Sequence, residues 1–208
     1  MSGGLELRGV ECRRGLRSLF RGLSADVAAG RLLRVQGANG AGKTSLLRII
    51  CGLLAPAQGQ VFWRGQHIAT LREEFGRDLL YLGHAAALKD DLSPLENLLA
   101  AAALGGAPTG DAEAIAALGQ AGLRGRERVP TRILSQGQRR RVALARLVLG
   151  RAAGLWVLDE PFNALDATAV SWLSALVTDQ VGHGGIVVLT SHQSVHFNET
   201  VQQMTISL

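Results

Sequence analysis

The sequence lacks several features that would place it in a broad class of protein. It contains two cysteines, Cys12 and Cys51, with no paired spacing to each other or to histidines. A disulfide framework and a cysteine–histidine metal site are therefore not predicted, and both thiols are expected to be buried and reduced. The chain also has no run of about 18 apolar residues, the length that a membrane-spanning helix needs.

The first residues do not resemble a secretion signal. Residues 1–6, MSGGLE, show no basic region followed by an apolar one. We therefore expect a soluble, cytoplasmic protein with no membrane span of its own. A chain of 208 residues can bury a full core, which favours one compact body with an inserted lobe.

Lysine is almost absent from this basic chain. Of the 22 basic residues, only Lys43 and Lys89 are lysines, and the net charge is +5. A compact ammonium group can enter a tight glycine loop and lie between the β- and γ-phosphates of a nucleotide, whereas a planar guanidinium is wider. The charge itself would suit an anionic partner, although arginines on solvated faces explain it more simply.

Residues 37–44, GANGAGKT, fit the phosphate-loop pattern between a strand predicted over 32–36 and a helix predicted over 45–51. Glycines allow successive backbone N–H groups to surround a phosphate, and the helix N-terminus adds a favourable dipole. Lys43 would neutralise the β- and γ-oxygens, and the Thr44 hydroxyl would bind Mg²⁺. The predicted nucleotide-binding residues of the loop are Gly37, Ala38, Asn39, Gly40, Ala41, Gly42, Lys43, Thr44 and Ser45.

A second motif is the apolar run over residues 155–158 that ends in Asp159 and Glu160. Taken alone, such a run is usually a strand that meets a turn. Downstream of a phosphate loop, however, Asp159 would lie beside that loop and hold Mg²⁺ through water. Glu160 would then orient or deprotonate the attacking water.

A third motif begins at residues 134–138, LSQGQ, and continues as RRRVALAR. Ser135 is a good helix cap, and a helix is predicted to run to about Leu149. The motif resembles the signature helix of the ATP-binding cassette family, which caps the γ-phosphate held by a second subunit. The resemblance implies that Ser135, Gly137 and Gln138 bind nucleotide, as a hydroxyl and free N–H groups at a helix N-terminus can.

The resemblance covers essentially the whole chain. Residues 163–166 resemble the loop that joins two ATP sites, and Ser191 with His192 resembles the switch whose histidine touches the γ-phosphate. The implied cofactors are ATP and Mg²⁺, and a second copy of the chain is an implied partner. The resemblance assigns catalysis to Lys43, Glu160 and His192, and metal binding to Thr44, Asp159 and His84.

The same resemblance implies an α/β fold of the P-loop NTPase, RecA-like type. Its parts would be a mostly parallel sheet, an antiparallel β subdomain and a small inserted helical subdomain. We expect one ABC ATPase domain over residues 1–208, with the nucleotide-binding core at about 1–84 and 135–208 and the helical subdomain at about 85–134. Alternating apolar runs and helices independently favour a parallel sheet covered on both faces.

Further elements follow from local patterns. Ser93, Pro94 and Glu96 give a helix start with a cap, a first-position proline and a glutamate that reaches back. The other predicted strands cover residues 5–10, 61–63, 79–82 and 186–189, and the other predicted helices cover 95–104 and 111–121.

Three positions depart from the family pattern. His84 stands where a magnesium-sensing glutamine is usual, and its imidazole could still bind the metal or its water. No aromatic residue lies near Arg13 and Arg14, where the family usually stacks a ring on adenine, so an arginine plane could stack instead. Gln136 replaces the commonest glycine of the signature.

Residues 81–84, YLGH, residues 95–98, LENL, and the arginine-rich signature helix resemble the ATPase subunits of the bacterial cytochrome c maturation system. This implies integral membrane subunits as partners, a role in haem handling or export for c-type cytochromes, and a peripheral place on the cytoplasmic face of the inner membrane. No nucleic-acid partner is expected.

Three alternatives stay open at the level of sequence. One is the ATPase subunit of another ABC importer or exporter. Another is a soluble cassette ATPase that acts on nucleic acid through the arginines of residues 124–141, although these lack interleaved aromatic residues. A phosphotransferase with the same glycine loop is the third, and the signature motif and Glu160 argue against it.

Overall fold

The computed structural model of the chain describes residues 3–193 and 195–208, apart from the side chain of Arg72. In the described part, the larger sheet has five parallel strands in the order β6-β7-β8-β3-β9. These strands are β3 (Arg31–Gln36), β6 (Leu79–Leu82), β7 (Leu155–Leu158), β8 (Ile186–Thr190) and β9 (Gln202–Ser207).

The second sheet is antiparallel, with four described strands in the order β2-β1-β4-β5. Its strands are β1 (Leu5–Arg14), β2 (Arg17–Val27), β4 (Gln58–Trp63) and β5 (Gln66–His67). The helices are α1 (Lys43–Ile50), α2 (Arg72–Asp78), α3 (Pro94–Leu104), α4 (Asp111–Gln120), α5 (Gln136–Leu149) and α6 (Ala167–Gly182), and a short 3₁₀ turn covers Thr131–Ile133.

The parallel sheet is apolar on both faces because helices cover both. β7 and β8 are buried along their whole lengths. On one face, Leu33 and Val157 pack in a cluster with α1 and the antiparallel sheet. On the other face, Leu32 and Trp156 pack with residues of α5 and α6. Because side chains alternate along each strand, each face of the sheet packs against its own covering layer.

A third apolar cluster joins α3 and α4 to α5, with Leu98, Leu118 and Val142 among its buried members. The start of α3 is fixed locally: the Ser93 hydroxyl accepts a hydrogen bond from the Glu96 backbone N–H at 3.2 Å, and the Ser93 N–H donates to Glu96 Oε2 at 2.8 Å. The predicted cap of this helix is thus confirmed.

The predicted α/β fold with a mostly parallel sheet and an antiparallel sheet is confirmed. Both cysteines are buried. Four elements of at least six residues were not predicted, namely β2, α2, α6 and β9. Among the described residues, no helix combines the length and the apolar character needed to cross a membrane.

Candidate nucleotide-binding site

The glycine loop connects the end of β3 to the start of α1. Gly42 has φ of 109°, a left-handed conformation that glycine adopts without strain, and it precedes a helix N-terminus that no side chain caps. Lys43 Nζ donates hydrogen bonds to the carbonyl oxygens of Gly37 at 2.8 Å and Ala38 at 3.2 Å. The ammonium group therefore lies over the loop.

Asp159 lies at the end of β7 and is only 2 % exposed. Its Oδ2 accepts a hydrogen bond of 2.8 Å from the Thr44 hydroxyl, and its Oδ1 accepts one of 2.8 Å from the Thr190 hydroxyl. The structure thus joins the glycine loop to the carboxyl ends of two neighbouring strands. This pairing brings together a hydroxyl and a carboxylate, the oxygen ligands that Mg²⁺ prefers.

Glu160 follows in a left-handed conformation, with φ of 48°, which is strained for a residue other than glycine. Its Oε2 accepts a hydrogen bond from the His192 backbone N–H at 3.1 Å, and its Oε1 lies 3.4 Å from His192 Nε2. Oε1 is buried and has no hydrogen-bond partner among the described atoms. A buried carboxylate oxygen without a partner is suited to accept a hydrogen bond from a water molecule.

These groups surround a cavity of about 360 Å³. The predicted site residues that line it are Asn39, Gly40, Gly42, Lys43, Thr44, Ser45, His84, Asp159, Glu160 and His192. Gly37, Ala38 and Ala41 belong to the same loop but do not line the cavity. A single cavity therefore brings together most of the residues predicted to bind phosphate, metal and water, although they come from four separate segments of the chain.

The signature residues lie elsewhere. Ser135, Gly137 and Gln138 do not line this cavity. Ser135 caps α5: its hydroxyl accepts from the Gln138 N–H at 3.2 Å, and its own N–H donates to Gln138 Oε1 at 3.0 Å. A Cβ placed on Gly137 would lie 2.7 Å from the carbonyl oxygen of Ala164. Contact between these residues and a nucleotide would need a second copy of the chain, which stays a prediction.

Sequence reasoning missed several residues around the site. Leu19 lines the cavity beside Arg14, which the sequence had already indicated, and the ring of Phe20 lies against the glycine loop, since a Cβ on Gly42 would be 3.2 Å from its Cδ1. Leu19 and Phe20 were missed because β2 was not predicted. Thr190 was missed because nothing in the sequence indicated a role in the site, apart from its place at the end of an apolar run.

Arg140 was missed as an individual residue within a run of three arginines. Its guanidinium is buried and donates hydrogen bonds to backbone carbonyls that follow two neighbouring strands, β6 and β7. Burial lowers the pKa of Arg140, while the nearby carboxylates of Asp159 and Glu160 raise it. A signal was present, because Arg140 shares a helix face with the buried Leu144 and Leu147.

A phosphate loop that follows a strand of a parallel sheet, with the loop's threonine in contact with a carboxylate at the end of the next strand but one, defines the class of P-loop nucleotide-binding proteins. Within this class, the ABC transporter family matches residues 20–163. The chain belongs to the ABC transporter family, in which ATP hydrolysis is coupled to transport.

Two relatives agree with this assignment. The chain is 52% identical over 192 residues to the cytochrome c biogenesis ATP-binding export protein CcmA of Dechloromonas aromatica, covering 92% of this chain and 94% of the relative. It is 55% identical over 188 residues to the protein of the same name from Aromatoleum aromaticum, covering 90% and 88%.

The fold is similar to that of a solved ATP-binding cassette, MJ0796, described as a dimer in a post-hydrolysis state with bound ADP and phosphate. The TM-score is 0.76 at 24% identity, and the match covers 91% of this chain and 88% of that one. This likeness concerns the fold alone.

Proposed function

We propose that the chain is the ATP-hydrolysing subunit of a membrane complex that energises haem handling or export for c-type cytochrome biogenesis. The observation that carries the proposal is the match to relatives named for cytochrome c biogenesis and export over about nine tenths of both chains. The site is compatible with this role because it combines a phosphate loop with a carboxylate placed for water.

In this proposal, the glycine loop and Lys43 bind the phosphates of ATP, with Ser45 at the first turn of α1. Thr44 and Asp159 would hold Mg²⁺. Among the described residues, no group of three or more His, Cys, Asp or Glu side chains could hold a metal, so phosphate and water oxygens would complete the ligand shell. Bound Mg²⁺ would neutralise charge on the β- and γ-phosphates.

Glu160 is the proposed general base. Its Oε1, which has no hydrogen-bond partner among the described atoms, would accept a hydrogen bond from the attacking water, while the His192 N–H holds Oε2 at 3.1 Å. The His192 imidazole, 3.4 Å from Oε1 and 52% exposed at the side chain, is free to turn towards a γ-phosphate. Hydrolysis would thus depend on both the Glu160 carboxylate and the His192 imidazole, which line the same cavity.

His84 is proposed to contact the metal or its water from the other side of the cavity, in place of the family's glutamine. Arg14 and Leu19 line the same cavity and would face the adenine side, where the family usually has an aromatic ring. A guanidinium plane can stack on a base through a cation–π contact.

Two copies of the chain would enclose two ATP molecules between them. The glycine loop of one copy would face Ser135, Gly137 and Gln138 of the other, so that a hydroxyl and a helix N-terminus cap each γ-phosphate. The separation of these residues from the cavity of their own chain supports this arrangement.

The helical part over residues 85–134 would contact the integral membrane subunits, with the nucleotide-binding core at 1–84 and 135–208. Leu104 at the end of α3 is 91 % exposed and Ile133 is 59 % exposed, which leaves apolar surface there for a partner. The chain would then be peripheral on the cytoplasmic face of the bacterial inner membrane.

The deciding experiment is haem staining of c-type cytochromes in cells that lack the chain, with rescue by wild type or Lys43→Ala and with membrane b-type haem as the control. Loss of c-type haem that only the wild type restores would support the proposal. Unchanged c-type haem would contradict the cytochrome role and leave the alternative of another ABC importer or exporter.

A nucleic-acid role has less support from the structure. Part of the arginine stretch that would carry it is engaged in ion pairs: Arg128 with Asp111 at 3.4 Å, and Arg132 with Asp91 at 2.8 Å. Salt-sensitive, ATP-dependent binding of RNA or DNA would be needed to favour it.

A further inference from the structure

Arg140 is the buried basic residue at the centre of the site's supporting contacts. Its Nη2 donates to the carbonyl oxygens of Asp159 and Glu160, both at 2.9 Å. Its Nη1 donates to those of Gly83 at 3.1 Å and His84 at 3.2 Å. A longer contact of 3.5 Å joins Nε to the carbonyl of Pro161. A guanidinium has five N–H donors in a planar fork, so these carbonyls use all of them.

These carbonyls belong to two segments that follow neighbouring strands and contribute His84, Asp159 and Glu160 to the lining of the cavity. Gly83 and His84 follow β6, whereas Asp159 and Glu160 follow β7, and Arg140 itself lies on the signature helix α5. Its side chain therefore links three elements that carry predicted site residues. The neighbouring arginines differ, since Arg139 and Arg141 form ion pairs with Asp90 and Asp166.

The Glu160 backbone needs such support. Its φ of 48° is unfavourable for a non-glycine residue and persists only where the surroundings hold it. The Thr190 hydroxyl accepts from the Glu160 N–H at 2.8 Å, and Arg140 binds the carbonyl at the other end of the same residue. The two contacts together fix the direction in which the Glu160 carboxylate leaves the backbone.

We propose that Arg140 is a positioning residue. By binding the backbone carbonyls of both His84 and Glu160, it fixes the position of the Glu160 carboxylate relative to His84. The inference rests on the proposed role of Glu160 in hydrolysis. Arg140 touches no predicted phosphate or metal ligand through a side chain, because all its hydrogen bonds among the described residues go to backbone carbonyls. It is therefore expected to act on turnover rather than on ATP binding.

The test compares Arg140→Ala with Arg151→Ala in the 208-residue chain. Arg151 is a matched control because it is a surface arginine that forms an ion pair with Asp179 at 2.9 Å. We expect Arg140→Ala to lower kcat by about 10²-fold, the scale expected when a catalytic group is displaced by about 1 Å. The dissociation constant of ATP should stay close to that of wild type.

Recovery of turnover on addition of guanidinium ion distinguishes a positioning role from a merely structural one. Arg140 lines an open cavity of about 780 Å³, so a free guanidinium at non-denaturing concentration can reach the vacated position. It should restore part of the turnover of Arg140→Ala and leave wild type and Arg151→Ala unchanged. If Arg140→Ala does not fold, Arg140→Lys, which keeps the charge but loses the fork, takes its place.

Hydrogen exchange separates this inference from the proposed function, because it needs no turnover. The amides of Asp159 and Glu160, bound to the Leu82 carbonyl and the Thr190 hydroxyl at 2.8 Å each, should exchange faster in Arg140→Ala, while the glycine loop stays as in wild type. Unchanged exchange at these amides, or wild-type kcat in a folded variant, would overturn the role of Arg140. A wild type that binds ATP without hydrolysing it would instead contradict the proposed function.

Discussion

The hydroxyl of Thr190 donates a hydrogen bond of 2.8 Å to Oδ1 of Asp159. The hydroxyl oxygen of Thr190 in turn accepts a hydrogen bond of 2.8 Å from the Glu160 N–H, and the threonine is fully buried at the end of β8. One side chain on the neighbouring strand thus orients both the proposed metal-binding carboxylate and the backbone of the proposed base.

The variant Thr190→Val is expected to lose stability and turnover together. Valine has nearly the same shape but leaves Asp159 Oδ1 and the Glu160 N–H without a partner, and each unsatisfied buried group costs about 1–3 kcal/mol. Chemical denaturation should show this loss, and kcat should fall more than the affinity for ATP.

Thr178→Val is the matched control, because the Thr178 hydroxyl donates only to the Ser174 carbonyl within α6 at 2.9 Å. Equal losses of stability and turnover in the two variants would show that Thr190 has no special place in the site.

Gly137→Ala tests the contact between the signature helix and the loop after Glu160. The added Cβ would lie 2.7 Å from the carbonyl oxygen of Ala164, so the backbone must move, and overpacking of this kind costs about 1–3 kcal/mol. We expect a lower free energy of unfolding and slower hydrolysis. Gly182→Ala in α6 is the control, since a Cβ there meets no atom within 4 Å outside its own stretch of helix backbone, and wild-type behaviour of both variants would contradict the prediction.

Glu160→Gln tests the assignment of the base. Glutamine keeps the shape and can still accept from the His192 N–H, but it cannot take a proton from water, so turnover should fall by about 10² or more. ATP binding should be kept, and the ATP-bound dimer should accumulate on size-exclusion chromatography. The exposed Glu113→Gln serves as the control, and unchanged turnover in Glu160→Gln would remove Glu160 from its role.

The capping box of α3 predicts a pH dependence of stability. Hydrogen bonds from the Ser93 backbone N–H and hydroxyl hold the pKa of Glu96 below its ordinary value of 4.5. Since the folded-state pKa is lowered, the charged carboxylate stabilises the fold above the ordinary value, and this contribution is lost as the pH falls through the folded-state pKa.

Wild type should therefore have a higher thermal midpoint than Glu96→Gln at neutral pH, and the two midpoints should converge in acid. The second capping box, in α5, is the internal control, because Gln138 carries no charge. The difference between wild type and Ser135→Ala should thus stay constant over the same pH range. A constant difference for Glu96→Gln would contradict the prediction.

Elements whose signals are local were predictable from the sequence. Ser93 and Ser135 are followed three residues later by Glu96 and Gln138, and both helix starts have the predicted cap. The continuous apolar runs of β7 and β8 follow from burial on both faces. α6 had a usable signal as well, because Asp166 accepts from the Ala169 N–H at 2.9 Å and so caps that helix.

β2 and β9 had no such signal. β2 contains Gly22 with φ of 64°, its pairing with β1 has register shifts, and it buries little of its length. β9 begins with Gln202 and Gln203, which are exposed, and its place depends on parallel pairing with β3. Strand propensity depends strongly on neighbours, so strands of this kind are defined by the sheet that receives them.

The sequence by itself determined the loop from Gly37 to Thr44, the Asp159–Glu160 pair and the capped signature helix, because each is encoded within a few consecutive residues. Only the tertiary structure decided that Thr44 meets Asp159, that Thr190 joins Asp159 to Glu160, and that Arg140 binds carbonyls after two different strands. Those contacts join residues that are 19–115 positions apart in the sequence. They depend on the order of the parallel strands, which no local sequence pattern predicts. Parallel strands meet only through crossover connections, so their shared edge exists only once the whole sheet has formed.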